Sequence, residues 1–384
     1  MANTLTNLIP DLYAALDVVS REQVGLIPSV TLDASVARAA KGQSVRVPIT
    51  PANAAGEDIT PAMSLPSAAD QTISNTEITI SKSRTFPFSW NGEEQRGLDT
   101  GAGYLPIRAQ QMLQAMRAAV NEIEADLAGL QSGFSRAYGT AGTTPFGTSG
   151  DFTDATMALK ILKDNGAPLS DNKLVVNTAA GASWLGKQTN ANVAFTGMFM
   201  EQGVLQKVGG MDIRESSFIE TSVAGTGSSA TTDNAGYAVG DTVITLASAG
   251  TGTILAGDVI TFAGDTEKYV VASGDADVSG GGTITLVAPG LKKAIGTSAT
   301  AITVVSAAAR NMAFNRSAIV LATRMPERPS EGDLALDVME ITDPRSGLTF
   351  EVAMYPGHRM VRYEISIAYG VKLIKPEHTA ILLG

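Results

Sequence analysis

Cysteine is absent from the 384-residue chain. That excludes disulfides, thiol nucleophiles and thiolate metal sites. Histidine occurs only at His358 and His378, too few for a multi-histidine metal cage within one chain. Positive charge is in deficit, with 28 Lys and Arg against 38 Asp and Glu and a net charge of −10. Wrapping nucleic acid needs a cationic surplus to neutralise phosphates, so that class is disfavoured. No run of about 18 uncharged apolar residues occurs, so the sequence predicts no membrane span. The first 20 residues hold no Lys or Arg, so the expectation is no secretory leader and a protein that stays in the compartment where it is made. Charged residues are scarce at 17%, but apolar residues reach 44%, enough to build the cores of two or three domains.

The apolar residues that are present carry clear periods. Leu5, Leu8, Leu12, Leu16, Val19 and Val24 recur at three- to four-residue spacing and predict a helical arm over residues 4–26, interrupted early by Pro10. Such a lone helix must dock on something. Val45, Val47 and Ile49 alternate, as do Ile78 and Ile80, and then Phe86, Phe88 and Trp90. Between them, residues 51–75 show no period and carry Pro51, Pro61 and Pro66. The pattern predicts an extended hairpin whose long tip is an interaction loop. The three aromatics suggest a stacking platform, but no basic groove surrounds them. Packing on the hairpin body or on a neighbouring subunit is the better reading.

The strongest signal is a helix over residues 106–137, opened by Pro106 at a favoured first position. Leu113, Met116, Val120, Ile123, Leu127, Leu130 and Phe134 form its seam, which predicts packing on a sheet or a short coiled coil. Thirty-two residues would span about 48 Å. The chain then reads as α/β, with a helix at 155–162, a buried strand at 173–177, a helix opening at 178 and a strand at 211–218. From about 223 the composition shifts: residues 223–305 hold 14 Gly, no Arg, no Met and ten charges, seven of them acidic. Short β-type runs at 242–246, 259–262, 268–271, 283–287 and 301–305 predict an inserted antiparallel barrel or sandwich. Alternation at 348–354 and 363–373, separated by the turn signal Pro356-Gly357, predicts two long strands, with one more short strand at 379–383.

Chemistry-bearing patterns are sparse. Gly181 to Gly186-Lys187 has phosphate-loop spacing, but Gln188 stands where the magnesium ligand Ser or Thr belongs. A helix start with a chance Gly–Lys pair is the simpler reading. Asp258, Asp265, Glu267, Asp275 and Asp277 lack the spacing of a calcium loop and read as a solvated face. No G-x-S-x-G elbow follows a strand, and both histidines stand in turn-like surroundings. The expectation is no enzyme, no catalytic residues, no cofactor and no metal. What remains is an arm, a long hairpin, a long helix, long terminal strands and an insert, a pattern that suits an assembly subunit.

Three segments carry a family resemblance: Gly257-Asp-Val-Ile-Thr-Phe-Ala-Gly264, Asn311-Met-Ala-Phe-Asn-Arg-Ser-Ala-Ile-Val-Leu-Ala-Thr-Arg324, and Tyr369-Gly-Val-Lys-Leu-Ile-Lys-Pro376. With the order of parts, they resemble the major capsid (coat) proteins of tailed double-stranded DNA phages, the Hong Kong 97-like fold, and more narrowly short-tailed-phage coat proteins with an inserted β-barrel domain. The resemblance implies an α+β fold divided into an N-terminal arm (1–43), an extended loop (44–100), a spine helix with peripheral domain (101–149), an axial α/β domain (150–222 and 306–342), an inserted β domain (223–305) and peripheral strands (343–384). It implies a homo-oligomer of pentamers and hexamers in a closed shell, assembled in the host cytoplasm with scaffolding and portal proteins. The shell would enclose double-stranded DNA without sequence-specific binding. No Lys–Asn cross-link is assigned. The expected assembly contacts are Pro61, Pro66, Phe86, Phe88 and Trp90. A tail-tube or surface-layer subunit is the alternative.

Overall fold

The computed structural model describes residues 24–49, 61, 63, 74–99, 104–148, 152–186, 210–342 and 347–384. Most of the expected helical arm, most of the hairpin tip including Pro66, and Lys187 lie outside these residues.

In chain order the elements are β1 (Thr31–Ala39), β2 (Ser44–Ile49), β3 (Ser74–Thr79), β4 (Lys82–Asn91), α1 (Gly92–Asp99) and α2 (Tyr104–Gly129). Then come β5 (Arg136–Tyr138), α3 (Thr153–Asp164), β6 (Asn172–Val176), α4 (Thr178–Gly186) and β7 (Asp212–Glu215). Residues 223–305, the expected insert, supply β8 (Val243–Leu246), β9 (Val259–Phe262), β10 (Lys268–Ser273), β11 (Gly282–Leu286) and β12 (Ile302–Val304). The chain closes with β13 (Arg310–Asn315), β14 (Ile319–Pro326), β15 (Asp337–Thr342), β16 (Thr349–Gly357), β17 (Met360–Leu373) and β18 (Thr379–Leu383).

The first sheet is organised around β17, whose 14 residues span about 46 Å. Ala368 and Tyr369 pair with β4 on one side and β14 on the other, while residues 360–366 lie between β4 and β16. β14 and β16 therefore share one edge of β17 end to end, and β4 takes the other. β1 adds to β14 in parallel and β15 to β16 antiparallel. The expected hairpin turn at Pro356-Gly357 falls later: both residues still pair with β17, and the chain reverses at His358 and Arg359, the latter at φ 54°.

The second sheet runs β12-β9-β10-β5-β18-β13-β6-β7. Its central strands are buried on both faces. Val175, Met312, Phe314, Ile381 and Leu383 face the core that holds Met116, Val120, Ile123 and Leu127 of α2. Leu174, Val176, Ala313, Ala380 and Leu382 face α3 and α4. Two-sided burial is why these strands read as nearly unbroken apolar runs.

Several expectations change. The long helix ends at Gly129, and residues 130–133 form a single 3-10 turn. Glycines at 129 and 133 weaken the helix there, and Phe134 turns extended while staying in the same core. The helical period thus outlasts the helix, which is about 39 Å long by rise per residue. Thr31–Ala39, assigned to the arm, is a strand of the first sheet. So are β14 and β15, assigned with the axial part. β18, assigned to the peripheral strands, instead lies between β5 and β13 in the second sheet. It is guided there by Asn165 Nδ2 donating to the Glu377 carbonyl (2.9 Å) and Ser135 Oγ donating to the Thr379 carbonyl.

Candidate assembly surface

The β2–β3 hairpin leaves this framework, paired from Ser44↔Thr79 to Ile49↔Ser74. Its base is fixed by a small cluster in which Ile78 and Ile80 meet Ala39, Val320, Ala322 and Ala368. A Cβ at Gly370 would lie 2.1 Å from the Thr79 carbonyl oxygen, so only glycine lets the hairpin cross β17 this closely. Lys372 Nζ donates to the Glu77 carbonyl (2.8 Å). Farther out, Arg46 and Glu77 form an exposed cross-strand pair at 3.1 Å. Pro61 and Met63, the tip residues that the structure describes, are exposed.

The second expected contact row, Phe86, Phe88 and Trp90, faces inward. Side chains at even positions of β4 all point to α2. Lys82 bonds to Glu122 (3.0 Å) and Asp126 (2.9 Å), and Arg84 bonds to Glu122 (2.7 Å). Phe86 and Phe88 pack on the core, and Phe88 stacks on Tyr363 at 5.3 Å. Trp90 is 6% exposed, and its Nε1 donates to Gln111 Oε1 (2.6 Å). The row therefore fastens β4 to the helix and leaves little of Trp90 for a neighbour. Ser83, Thr85 and Pro87 form the outer face. The hydrogen bond to Asp126 holds the Lys82 ammonium above its usual range. Burial pushes Glu122 up, but the bonds from Arg84 and Lys82 outweigh it and leave the carboxyl lowered. Burial, reinforced by its bond to Asp126, raises the Tyr369 hydroxyl.

Sequence reasoning missed two groups. Glu124 lies off the apolar seam of the helix, yet it is completely buried. Its Oε1 accepts from the Gly25 (2.7 Å) and Leu26 (2.6 Å) amides, and its Oε2 from that of Ile27 (3.0 Å). Burial raises its carboxyl despite these three donors. No period marks such a site; only the tertiary approach of residues 25–27 creates it. The second group is the β14–β15 connection. Arg328 grips buried Glu351 (3.0 Å), which also holds Arg38 (2.5 Å), and Tyr355 Oη donates to Asp333 (2.6 Å), with burial pushing that hydroxyl up to about 12. The pinned loop and the edge strand β15 expose Leu334 (83%), Leu336 (62%) and Met339 (49%). Exposed apolar side chains beside a strand edge that pairs with none of the described residues suit contact with another chain.

The remaining candidates serve the fold. Gly181 and Gly186 lie in α4 rather than in a phosphate-cradling loop, and a Cβ at Gly181 would lie 2.6 Å from Glu215 Oε2. Asp258 accepts from the Gly225 and Leu255 amides, Asp265 from Tyr269 Oη, and Asp277 from the Ser279 amide, while Glu267 pairs with Arg136 at 2.9 Å. Among the described residues no three His, Asp or Glu gather as a metal site. His358 is exposed at the β16–β17 turn, and burial lowers His378. A cleft of about 410 Å³ at the junction of the insert and α3 is lined by Asp154, Lys160, Glu267 and Lys268. Asp154 accepts from the Phe146 amide, Lys160 pairs with Asp164, and Lys268 donates to the Gly139 carbonyl.

In sequence, no family model matches the chain, and neither does any curated protein. In structure, the chain is similar to one in the capsid of cyanophage P-SCSP1u, with a TM-score of 0.51 and 12% identity over 100% of this chain and 92% of that one. Similarity extends to the capsid of a native GTA particle (TM-score 0.46, 11% identity, 100% and 95% covered). It extends also to a virus-like particle from Pyrococcus furiosus (TM-score 0.42, 12% identity, 98% and 100% covered). With few helices and many strands, this α+β chain has the fold of a phage capsid protein.

Proposed function

We propose that the chain is the structural subunit of an icosahedral bacteriophage capsid, built on the Hong Kong 97-like plan. It self-assembles into pentamers and hexamers that enclose double-stranded DNA, and it is not an enzyme. The observation that carries this reading is the end-to-end likeness to a chain of the cyanophage capsid. The extended parts support it. In this plan α2 is the spine helix, the β2–β3 hairpin with its tip is the extended loop, and the first sheet holds the peripheral domain. The strands of 223–305 form an inserted barrel, supported by segment 231–237, which bridges Leu246 on one side and Ala301 on the other.

A closed shell repeats one chain through heterologous contacts. Each contact can be weak, because many copies act together. The contacts we assign are the tip around Pro61 and Pro66 and the outer face of the Phe86–Trp90 strand. A net negative subunit holds packaged DNA without gripping it. The protein would reside in the virion after assembly in the host cytoplasm with scaffolding and portal proteins. Electron microscopy of the purified chain tests the proposal: closed isometric shells are expected, whereas open tubes, flat lattices or persistent monomers under all assembly conditions would overturn it.

A further inference from the structure

The cleft of about 410 Å³ beside α3 opens where β10 joins β5 through the pair Lys268↔Ala137, and α3 and the turn 139–145 supply its other walls. Four charged side chains line it. Three are matched. Asp154, in the first turn of α3, accepts from the Phe146 amide (2.7 Å), Glu267 pairs with buried Arg136 (2.9 Å), and Lys160 pairs with Asp164 (2.8 Å). Lys268 differs: its Nζ donates to the Gly139 carbonyl, and among the described residues it has no carboxylate partner.

That partner decides the chemistry open to the amine. A carboxylate holds lysine as the ammonium ion, which has no lone pair to share; a carbonyl accepts an N–H from the charged and the neutral form alike. Burial favours the neutral form and lowers the Lys268 ammonium from its ordinary value. A desolvated lysine with no counter-ion beside it is the form in which lysine acts as a nucleophile. Lys293, in the same segment, is the contrast. It also donates to a backbone carbonyl, that of Gly264, but it is exposed and lies outside the cleft. The rest of the lining suits a small anion: Thr140, Thr143 and Thr144 bring hydroxyls, and Lys160 brings a half-exposed ammonium. The space is within the range of small-molecule sites.

We propose that Lys268 is a site of covalent acylation, taking its acyl group from a small acyl phosphate seated in this cleft. The neutral amine attacks the acyl carbon and a C–N bond forms. The C–O bond to phosphate breaks, phosphate leaves with the electron pair, and the proton of the amine passes to water. The product is an uncharged amide that keeps one N–H for the Gly139 carbonyl. The step modifies the chain itself and turns over no substrate, so it does not rest on the shell reading.

Acetyl phosphate is the probe. The full chain is incubated with it at pH 7.5, digested, and the acetyl groups located by mass spectrometry. Lys268 should be acetylated about tenfold faster than Lys293. Equal rates, or a faster reaction at Lys293, would overturn the proposal. The advantage should shrink toward pH 10, where exposed lysines also lose their protons; an advantage that stays constant with pH would assign it to access rather than to the amine, and would overturn the proposal. Inorganic phosphate should slow the reaction at Lys268 and leave that at Lys293 unchanged. No slowing at Lys268 would leave a reactive lysine without a phosphate site, which also overturns the proposal.

Discussion

Segment 223–305, whose strands β9, β10 and β12 extend the second sheet, and the β2–β3 hairpin are stabilised in opposite ways. The insert brings its own core: Ile244, Ile254, Ile260, Phe262, Tyr269, Ile284 and Ile302 pack on one another. Val259 of β9, Val270 of β10 and Val287 just after β11 face the body. The main-chain pairing Lys268↔Ala137 and Tyr269↔Arg136 continues the body's sheet into it. The hairpin has one small cluster at its base, a glycine-sized crossing over β17 and an exposed ion pair. A segment that buries its own side chains can fold on its own account. A segment that does not must gain order from what it lies on.

The largest expected effect separates the two most clearly. Phe262→Ala empties a fully buried position of the insert and should cost about 3–5 kcal/mol. If the insert is a unit, calorimetry should show its transition moving down while the body's transition stays in place. A single transition shifting as a whole would merge insert and body into one cooperative unit. Expressed alone, residues 223–305 should give a β-type circular dichroism spectrum and dispersed amide signals; a random-coil spectrum would remove the boundary.

At the hairpin base, Gly370→Ala places a methyl group against the Thr79 carbonyl and should cost about 2 kcal/mol as β3 lifts from β17. Hydrogen exchange should quicken in residues 74–80 and remain slow in the insert. Unchanged exchange at 74–80 would show that the crossing is not what holds the hairpin.

A smaller effect tests the β4 clamp next to that base. Glu122→Gln should cost about 1 kcal/mol at neutral pH, in the range of a half-buried ion-pair network. The folded Glu122 carboxyl lies below its ordinary value. Its contribution is therefore complete above the ordinary carboxylate range and is lost as pH falls through the folded value. Lys82 lies above its ordinary value, so its share is complete below that value and is lost as pH rises through the folded one. Parent and Glu122→Gln melting temperatures should converge in acid. A constant gap down to pH 2 would assign the difference to shape rather than charge.

These regions also differ in how far the sequence declares them. β17, the strand at 172–176 and the insert's five strands follow from period and composition, because each buries a defined face within a few residues of turn signals. β1 does not. Thr31–Ala39 alternates only weakly between small residues, and its partner β14 lies nearly 300 positions away. Phe86, Phe88 and Trp90 are visible as an alternating aromatic row, but whether the row meets α2 or a neighbour depends on where α2 sits. Glu124 and Glu351 look like ordinary surface charges, and only the amides and guanidiniums brought to them by distant segments make them buried acceptors. Local period is written in neighbouring residues, whereas polar burial is written in pairs that the chain brings together late.

The smallest expected effect on stability belongs to the tip, where the comparison is sharpest. Residues 51–75 carry few large apolar side chains and three prolines, and the described tip residues Pro61 and Met63 are exposed. Replacing residues 53–73 by a short glycine-containing turn keeps the Ile78 and Ile80 cluster and the pairing of β2 with β3. Closing a shorter loop costs slightly less chain entropy, so the melting temperature should hold or rise slightly. Assembly should fail, because every subunit loses the same contact and the loss repeats around the lattice. The measurement is a thermal melt of the variant followed by electron microscopy under conditions in which the parent forms particles. Normal particles would remove the tip from the assembly contacts. A collapsed melting temperature would place the tip, like the insert, among segments that stabilise the subunit itself.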